Sequence, residues 1–128
     1  MGIQIIKIAS GAADSSGDST ATTSSPVNGI IRAIELVFGD DSSSGMDTYI
    51  TEDGKSTDQA ILTVTGSATD AWFYPHNFAQ DATGSDMYYN DDGDEEIPVP
   101  FYVARTLTLV QDDQTEAKSM TAYIYVEK

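Results

Sequence analysis

The chain has 128 residues, of which 21 are acidic and 6 are basic, so its formal net charge is −15. It has no cysteine and one histidine, which excludes disulfides, thiolate metal sites, cysteine nucleophiles and clusters of histidine ligands. No apolar run approaches the ~20 residues of a membrane span, the start lacks the pattern of a signal peptide, and so acidic a chain repels nucleic acid. We therefore expect one small soluble domain with no membrane or nucleic-acid partner.

The amino-terminal residues predict a short strand followed by a polar segment. Ile3 to Ile8 is rich in β-branched residues. From Ser10 to Ser25, nine of sixteen residues are Ser or Thr, which predicts a flexible tether because little apolar surface is available for burial. The strand either belongs to the same domain or acts as an arm that pairs with the sheet edge of a neighbouring subunit. The contact residues of such an arm are Ile3, Ile5, Ile6 and Ile8.

The middle of the chain predicts further strands. The isoleucines, valine and bounding glycines of Ile30 to Phe38 favour a strand that is covered on both faces. Asp47 to Glu52 leads into an Asp53-Gly54 turn, and Ile61 to Thr65 alternates apolar residues with Thr, so these segments predict a hairpin. Trp72 to Phe78 carries five rings in seven residues, and part of it is expected in the core.

The last third carries the clearest alternation. One stripe consists of Phe101, Val103, Leu107 and Leu109, and a second consists of Met120, Ala122, Ile124 and Val126. Period two on both sides of a turn predicts a long hairpin with one face in the core. The fold class predicted is all-β, a single-domain antiparallel β-sandwich, either jelly-roll-like or a small barrel, with an N-terminal extended arm. Residues 1–28 would form the arm and tether, and residues 29–128 the sandwich.

Several side chains are candidates for the core or for contact with another molecule. The expected core residues are Trp72, Phe73, Phe101, Val103, Leu107 and Ile124. The opposite side of the last strands carries Tyr102, Tyr123 and Tyr125, together with Thr106, Thr108 and Thr121. With no charges among these residues, the tyrosines favour an interface between subunits over cross-strand packing alone. Arg32 and Arg105 interrupt apolar stripes, so each either has a partner within the chain or at a strand end, which we favour, or lies on a stripe that faces another subunit.

The sequence carries no catalytic motif. No Ser has the context of a nucleophile elbow, no Gly-rich loop has the phosphate-binding pattern, and we expect His76 to pack or hydrogen-bond beside Pro75. Asn90 to Glu96 is rich in oxygen ligands, but the EF-hand spacing fails because Tyr88 and Val99 fall on ligand positions. We therefore predict no enzyme activity, no cofactor and no metal site. Calcium bound irregularly by the acidic loop remains an alternative.

Five segments, in this order, resemble small structural proteins of tailed bacteriophages. They are Gly29 to Glu35, Ile61 to Thr65, Ala68 to His76, Ile97 to Val99 and Tyr123 to Glu127. The most specific element is the Asp-Ala-Trp-Phe-Tyr-Pro block. Related sequences carry Arg where this chain has His76, which argues against a role for a permanent charge there. The similarity covers roughly Gly29 to Lys128 and leaves out the arm.

The resemblance is to head-associated decoration or cement proteins. It implies a non-enzymatic virion subunit that oligomerises, commonly as a trimer, and staples neighbouring major capsid proteins, with the arm of Ile3 to Ile8 as the capsid-binding staple. It also implies a place on the capsid exterior, and in the host cytoplasm before assembly. Two alternatives stay open: a tail or head–tail joining component, and a carbohydrate-binding or adhesion module. In the second alternative, Trp72, Phe73 and Tyr74 would stack on sugars, and Asp91, Asp92 and Asp94 would bind calcium.

Overall fold

The computed structural model describes residues 2–55, 60–78, 82–84 and 98–128. This part of the chain is built of β-strands joined by turns and loops. The strands are β1 (Ile3–Ala9), β2 (Ser19–Thr22), β3 (Gly29–Phe38), β4 (Asp47–Glu52), β5 (Leu62–Val64), β6 (Ala71–Phe73), β7 (His76–Phe78), β8 (Pro98–Val103), β9 (Leu107–Asp112) and β10 (Met120–Glu127).

The strands form two antiparallel sheets. Sheet A has six strands in the order β1-β10-β3-β8-β7, and β6 joins the same side of β3 as β8. Sheet B has four strands in the order β2-β9-β4-β5. The prediction of an all-β antiparallel sandwich is confirmed.

The two sheets enclose one apolar core that follows the period-two alternation of the strands. Sheet A contributes Ile31, Ile34, Leu36, Ala122, Ile124 and Val126, and sheet B contributes Ile50, Leu62, Leu107 and Leu109. Burial of one such aliphatic side chain stabilises the fold by about 1.5–3 kcal/mol. β3 is not covered on both faces as expected, because its alternate residues Ala33, Glu35 and Val37 are only half-buried.

The predicted hairpin of β4 and β5 is present, with Ile50 opposite Leu62. The predicted long hairpin of the last third is wrong. β8 belongs to sheet A and β9 to sheet B, while β10 pairs with β1 and β3. The chain crosses between the sheets where Arg105 interrupts the stripe. The alternation survives this crossing because Val103 and Leu107 approach the same core from opposite sides.

The crossing between β8 and β9 is fixed by hydrogen bonds to the end of β4. Glu52 Oε2 accepts the N–H of Ala104 at 2.8 Å, and a guanidinium N–H of Arg105 donates to the carbonyl of Asp53 at 3.2 Å. Arg105 thus has a partner within the chain, as expected. Its charge stays at the surface, since Arg105 is exposed.

The amino-terminal strand lies within sheet A. β1 pairs with β10 over its whole length, from Ile3 opposite Glu127 to Ala9 opposite Thr121. Ile8 is buried in the core, and Ile6 packs against it. Of the two possibilities that the sequence left open, the structure therefore has pairing within the chain. The free arm is not confirmed.

The Ser/Thr-rich segment after β1 is not a flexible tether. Part of it forms β2, which pairs with β9. Before β2, the N–H of Ala13 donates to the Lys118 carbonyl, and Gly17 accepts from the N–H of Gln114, both at 2.9 Å. The expectation failed because it considered apolar burial alone. Backbone hydrogen bonds order this segment instead.

Two buried glutamines also hold the segment before β2 in place. Gln111 Nε2 donates to the carbonyls of Gly11 and Lys118, and Gln114 Nε2 donates to Gln111 Oε1. Gly17 lies so close to the turn that a Cβ atom there would come within 2.4 Å of the Gln114 carbonyl oxygen. Its φ of 83° also favours glycine. Residues 1–28 and 29–128 consequently share both sheets.

Candidate functional site

The surface of sheet A that faces away from the core is built of four rows of side chains. Directly opposed residues on neighbouring strands project to the same side of a sheet. The rows are Ile3-Glu127-Ile30-Tyr102, Ile5-Tyr125-Ala33, Lys7-Tyr123-Glu35-Trp72 and Ala9-Thr121-Val37. We call this surface the outer face of sheet A. Five strands contribute to it: β1, β10, β3, β6 and β8.

Several large apolar side chains of the outer face of sheet A are exposed. Ile3 and Ile5 are each 55% exposed, Trp72 47% and Tyr102 75%. Scattered apolar residues are normal on a protein surface, but a contiguous group marks a site of contact with another molecule. The tyrosines and Trp72 suit such a role, because aromatic side chains are enriched at protein interfaces.

An aromatic pair lies within the outer face. The ring centroids of Trp72 and Tyr125 are 5.2 Å apart, and their planes are inclined at 42°. Tilted pairs of this kind contribute about 0.5–1.5 kcal/mol beyond their area burial. The contact holds two broad rings side by side while leaving nearly half of Trp72 exposed, which gives the face a preformed aromatic platform.

The expectation that Trp72 belongs to the core is wrong. Its neighbour Phe73 lies opposite Ile34 and packs against the core, and successive residues of a strand point to opposite sides. Trp72 must therefore face outward, opposite Glu35. Two consecutive aromatic residues in a three-residue strand gave no signal for which of them would turn inward.

The structure places the other expected core residues on the inner side. Val103, Leu107 and Ile124 are buried, and Phe101 is partly buried against them. Tyr102 lies between Phe101 and Val103 on β8 and is thus turned outward. Sequence reasoning missed the contribution of Ile3 and Ile5 to this surface, because the pairing of β1 was left open.

Tyr102, Tyr123 and Tyr125, the expected interface residues, all lie on the outer face of sheet A. The expectation that no charges stand among them is wrong, since Lys7 and Glu35 flank Tyr123 in its row. Thr108, which was expected on the same surface, does not lie there. It belongs to β9, so its side chain lies on sheet B.

A β-bulge positions an ion pair at the rim of the outer face. The register between β10 and β3 shifts between Tyr125 and Val126, which leaves Arg32 without an opposing residue. Its Nε donates to Glu127 Oε2 at 2.6 Å. This hydrogen bond and the positive charge lower the pKa of Glu127. Arg32, like Arg105, therefore has its partner within the chain.

The outward side of sheet B has different chemistry. Its exposed or half-exposed side chains include Thr20, Thr22, Thr63, Thr108 and Tyr49. Thr22 and Thr108 form a hydroxyl hydrogen bond of 2.9 Å across β2 and β9. We call this surface the outer face of sheet B. Hydroxyl groups remain hydrated at little free-energy cost, so this face can stay in contact with water without a binding partner.

Acidic residues gather at one end of the outer face of sheet B. Oxygen atoms of Asp47, Asp112 and Asp113 lie within 4.8 Å of one another. A hydrogen bond with Asp112 raises the pKa of Asp18, and loss of solvation and repulsion from nearby carboxylates raise it further. Carboxylate oxygens are the ligands of hard cations, yet in a chain of net charge −15 such groups also lie together without one.

The sequence analysis also singled out His76 and an acidic segment as candidate site residues. His76 Nδ1 lies 3.3 Å from the Tyr74 carbonyl oxygen, which agrees with a hydrogen-bonding role. The acidic segment Asn90 to Glu96, with the calcium candidates Asp91, Asp92 and Asp94, lies outside the described residues. Within the described parts of the chain, no helix has the length and apolar character needed to cross a membrane.

Comparisons with known proteins give no assignment for this chain. No family model, no curated protein and no solved structure matches it.

Proposed function

We propose that this chain is a non-enzymatic structural protein of a virus particle, a capsid decoration or cement subunit. The observation that carries the proposal is the outer face of sheet A, where Trp72, Tyr102 and Tyr125 stand beside exposed isoleucines. In the proposed role, this face binds neighbouring subunits, either the major capsid protein or other copies of the chain in a homotrimer. A tail or head–tail joining subunit would use the same face, and only its place in the particle would differ.

The distribution of charge supports attachment to the outside of a particle. The chain has a net charge of −15, which keeps acidic particles apart in solution. On the outer face of sheet A, however, one carboxylate is matched by Arg32, and Lys7 stands in the same row as Glu35. A nearly balanced, aromatic face on an otherwise acidic molecule is what a subunit needs to bind on one side and remain hydrated elsewhere.

The direct test is to purify the virus particles whose genome encodes this chain and measure its copy number by quantitative mass spectrometry. The proposal expects many copies per particle, accessible to protease from outside. A map from electron microscopy should place the outer face of sheet A against the shell. Particles that lack the chain altogether would overturn the proposal.

A matched pair of variants tests the binding face. Tyr123→Ser together with Tyr125→Ser removes two rings from the outer face of sheet A, and we expect loss of particle binding and of trimer formation. Tyr49→Ser makes the same chemical change on the outer face of sheet B and should leave both unchanged. Circular dichroism checks that every variant keeps its β-sheet spectrum. Equal effects of the two changes would remove the outer face of sheet A from the function.

The exposure of Trp72 also favours a second candidate, a carbohydrate-binding module. The ring of Trp72 is 47% exposed and Tyr74 is 68% exposed, so both side chains are accessible for stacking on a sugar. Phe73, the third residue of this candidate platform, packs inward against the core. Binding to a glycan array that Trp72→Ala abolishes would support this candidate. Saturable binding to shells with no glycan binding would support the capsid subunit.

A further inference from the structure

The open edge of β1 is the longest free strand edge in the described residues. β1 has seven residues, whereas the other edge strands β2, β5, β6 and β7 have three or four. Short edge strands offer few backbone groups to an incoming strand. β1 also contains no proline and pairs with β10 without a bulge, so two common means of protecting an edge are missing.

The direction of the backbone groups on β1 follows from its two end pairs. The Lys128 N–H donates to the Gly2 carbonyl, and the Ser10 N–H donates to the Met120 carbonyl. In an antiparallel pair the hydrogen-bonded residues alternate, so the even positions of β1 bond to β10. The odd positions direct their N–H and C=O groups away from the sheet. They are Ile3, Ile5, Lys7 and Ala9.

No described residue accepts or donates a backbone hydrogen bond at these odd positions on the open side of β1. The side chains of Ile3 and Ile5 are also more than half exposed. The strand thus presents unpaired backbone groups and apolar side chains together. Both are properties of strands to which a further strand adds.

The charge near β1 favours a second copy of this chain as the added strand. The first acidic residue of the sequence is Asp14, and the one charged side chain in residues 2–13 is Lys7. At the acidic end of the outer face of sheet B, by contrast, two copies would bring free carboxylates together. Glu127 is the acidic residue opposite β1, and its carboxylate is held by Arg32. Two copies can therefore meet at the β1 edge without opposing free carboxylates.

We propose that two copies of this chain pair through β1, antiparallel about a two-fold axis, so that their A sheets become continuous. Such a contact satisfies the same backbone groups on both copies at once. The register that uses all four free residues places the axis at Ile6, with Ile5 opposite Lys7 and Ile3 opposite Ala9. This inference goes beyond the proposed function, because it requires neither a capsid nor the aromatic residues of the outer face.

Sedimentation equilibrium of the wild-type chain and two variants at Ile5 tests the pairing. Ile5→Pro removes an N–H that points away from β10, so the monomer can keep its fold. Because the dimer loses two such donors, we expect its dissociation constant to rise by about tenfold or more. Ile5→Ala is the matched control: it shortens the same side chain, keeps the N–H, and should still dimerise. Added salt should strengthen the wild-type dimer by screening the repulsion between acidic copies.

Amide hydrogen exchange on the wild-type chain provides a test that needs no variant. In the monomer, only the amides at the even positions of β1, which bond to β10, should be protected from exchange. As the concentration rises and the dimer forms, the amides of Ile3, Ile5, Lys7 and Ala9 should become protected as well. A chain that stays monomeric at all concentrations, with its odd amides unprotected, would overturn the pairing. So would a folded Ile5→Pro variant that dimerises like the wild type. Either result would leave the proposed role of Trp72 and the tyrosines untouched.

Discussion

The two sheets follow the same alternation of inward and outward residues but carry different chemistry on their outer faces. On sheet A the outward positions hold Trp72, Tyr125 and exposed isoleucines, and on sheet B they hold mainly threonines. Both sets of residues favour strands. Strand formation alone therefore does not explain why the aromatic residues are on one side. The difference supports the proposal that the outer face of sheet A binds a partner while that of sheet B meets water.

The inner faces differ as well, and this difference concerns stability. The inner side of sheet A is apolar along β3 and β10. The inner side of sheet B changes at one end to Thr48 and Gln111, which are both fully buried. Gln111 is held by carbonyl acceptors of the segment before β2. The inner side of sheet B thus adds a buried polar network to its apolar contacts.

The largest effect on stability is expected when two neighbouring residues on opposite sides of β10 are each replaced by Ala and compared. Ile124→Ala removes a fully buried side chain between the sheets and should lower the free energy of unfolding by about 2–5 kcal/mol. Tyr125→Ala, one residue away on the outer face, should cost about 0.5–1.5 kcal/mol through loss of the Trp72 contact. Urea denaturation measures both. Similar losses for the two variants would mean that the outer face is part of the core.

The buried polar network of sheet B should give the next largest effect. Gln111→Leu leaves the carbonyls of Gly11 and Lys118 without their donor, and we expect a loss of about 1–3 kcal/mol by urea denaturation. Amides of residues 10–18 should also exchange faster with solvent. Gln4→Leu on β1 is the control, because Gln4 is exposed, and it should change stability little. Unchanged exchange in Gln111→Leu would show that backbone contacts alone hold the segment.

Trp72→Ala separates stability from contact on the outer face of sheet A. Because the ring is 47% exposed, the variant should lose about 1 kcal/mol of folding free energy, far less than a core tryptophan. Binding to the shell, which the proposed function requires, should fall much more. A stability loss of ~3–5 kcal/mol would instead return Trp72 to the core.

The sequence allowed the fold class and most inward residues to be predicted, because period two directly reports which side of a strand is buried. It did not reveal which strands pair. Val103 and Leu107 belong to one apolar stripe but to different sheets, and the interruption at Arg105 marked the crossing. Pairing depends on contacts between distant segments, which alternation within a strand does not encode.

The candidate site was predicted only in part for a related reason. Tyr102, Tyr123 and Tyr125 were assigned to one outward surface, and they share it. Trp72 and Ile5 joined it only through the pairing of β6 and β1 with the central strands. The order in residues 10–18 was missed because the partners are Gln111, Gln114 and main-chain groups nearly a hundred residues away.

The charged groups of the two outer faces should respond to pH with opposite signs. On sheet A, the pKa of Glu127 is below its ordinary value of 4.5, so its pair with Arg32 stabilises the fold above that pH. This contribution is lost as the pH falls through the lowered pKa. Glu127→Gln should therefore lower the melting temperature at neutral pH, and the difference from wild type should vanish in acid. A constant difference at every pH would mean that the variant acts through packing.

Just before β2 of sheet B, the pKa of Asp18 is raised above its ordinary value of 3.8, so the folded chain takes up this proton more readily than the unfolded chain. Stability from this group therefore rises as the pH falls through the raised pKa, and at neutral pH the ionised Asp18 opposes folding. Asp18→Asn should raise the melting temperature slightly at neutral pH, and this gain should shrink below pH 3.8. Ser16→Asn, at an exposed position in the same turn, controls for the new amide. A melting temperature of Asp18→Asn that falls at neutral pH would show that the Asp18 carboxylate is stabilising, and the contrast between the two faces would then fail.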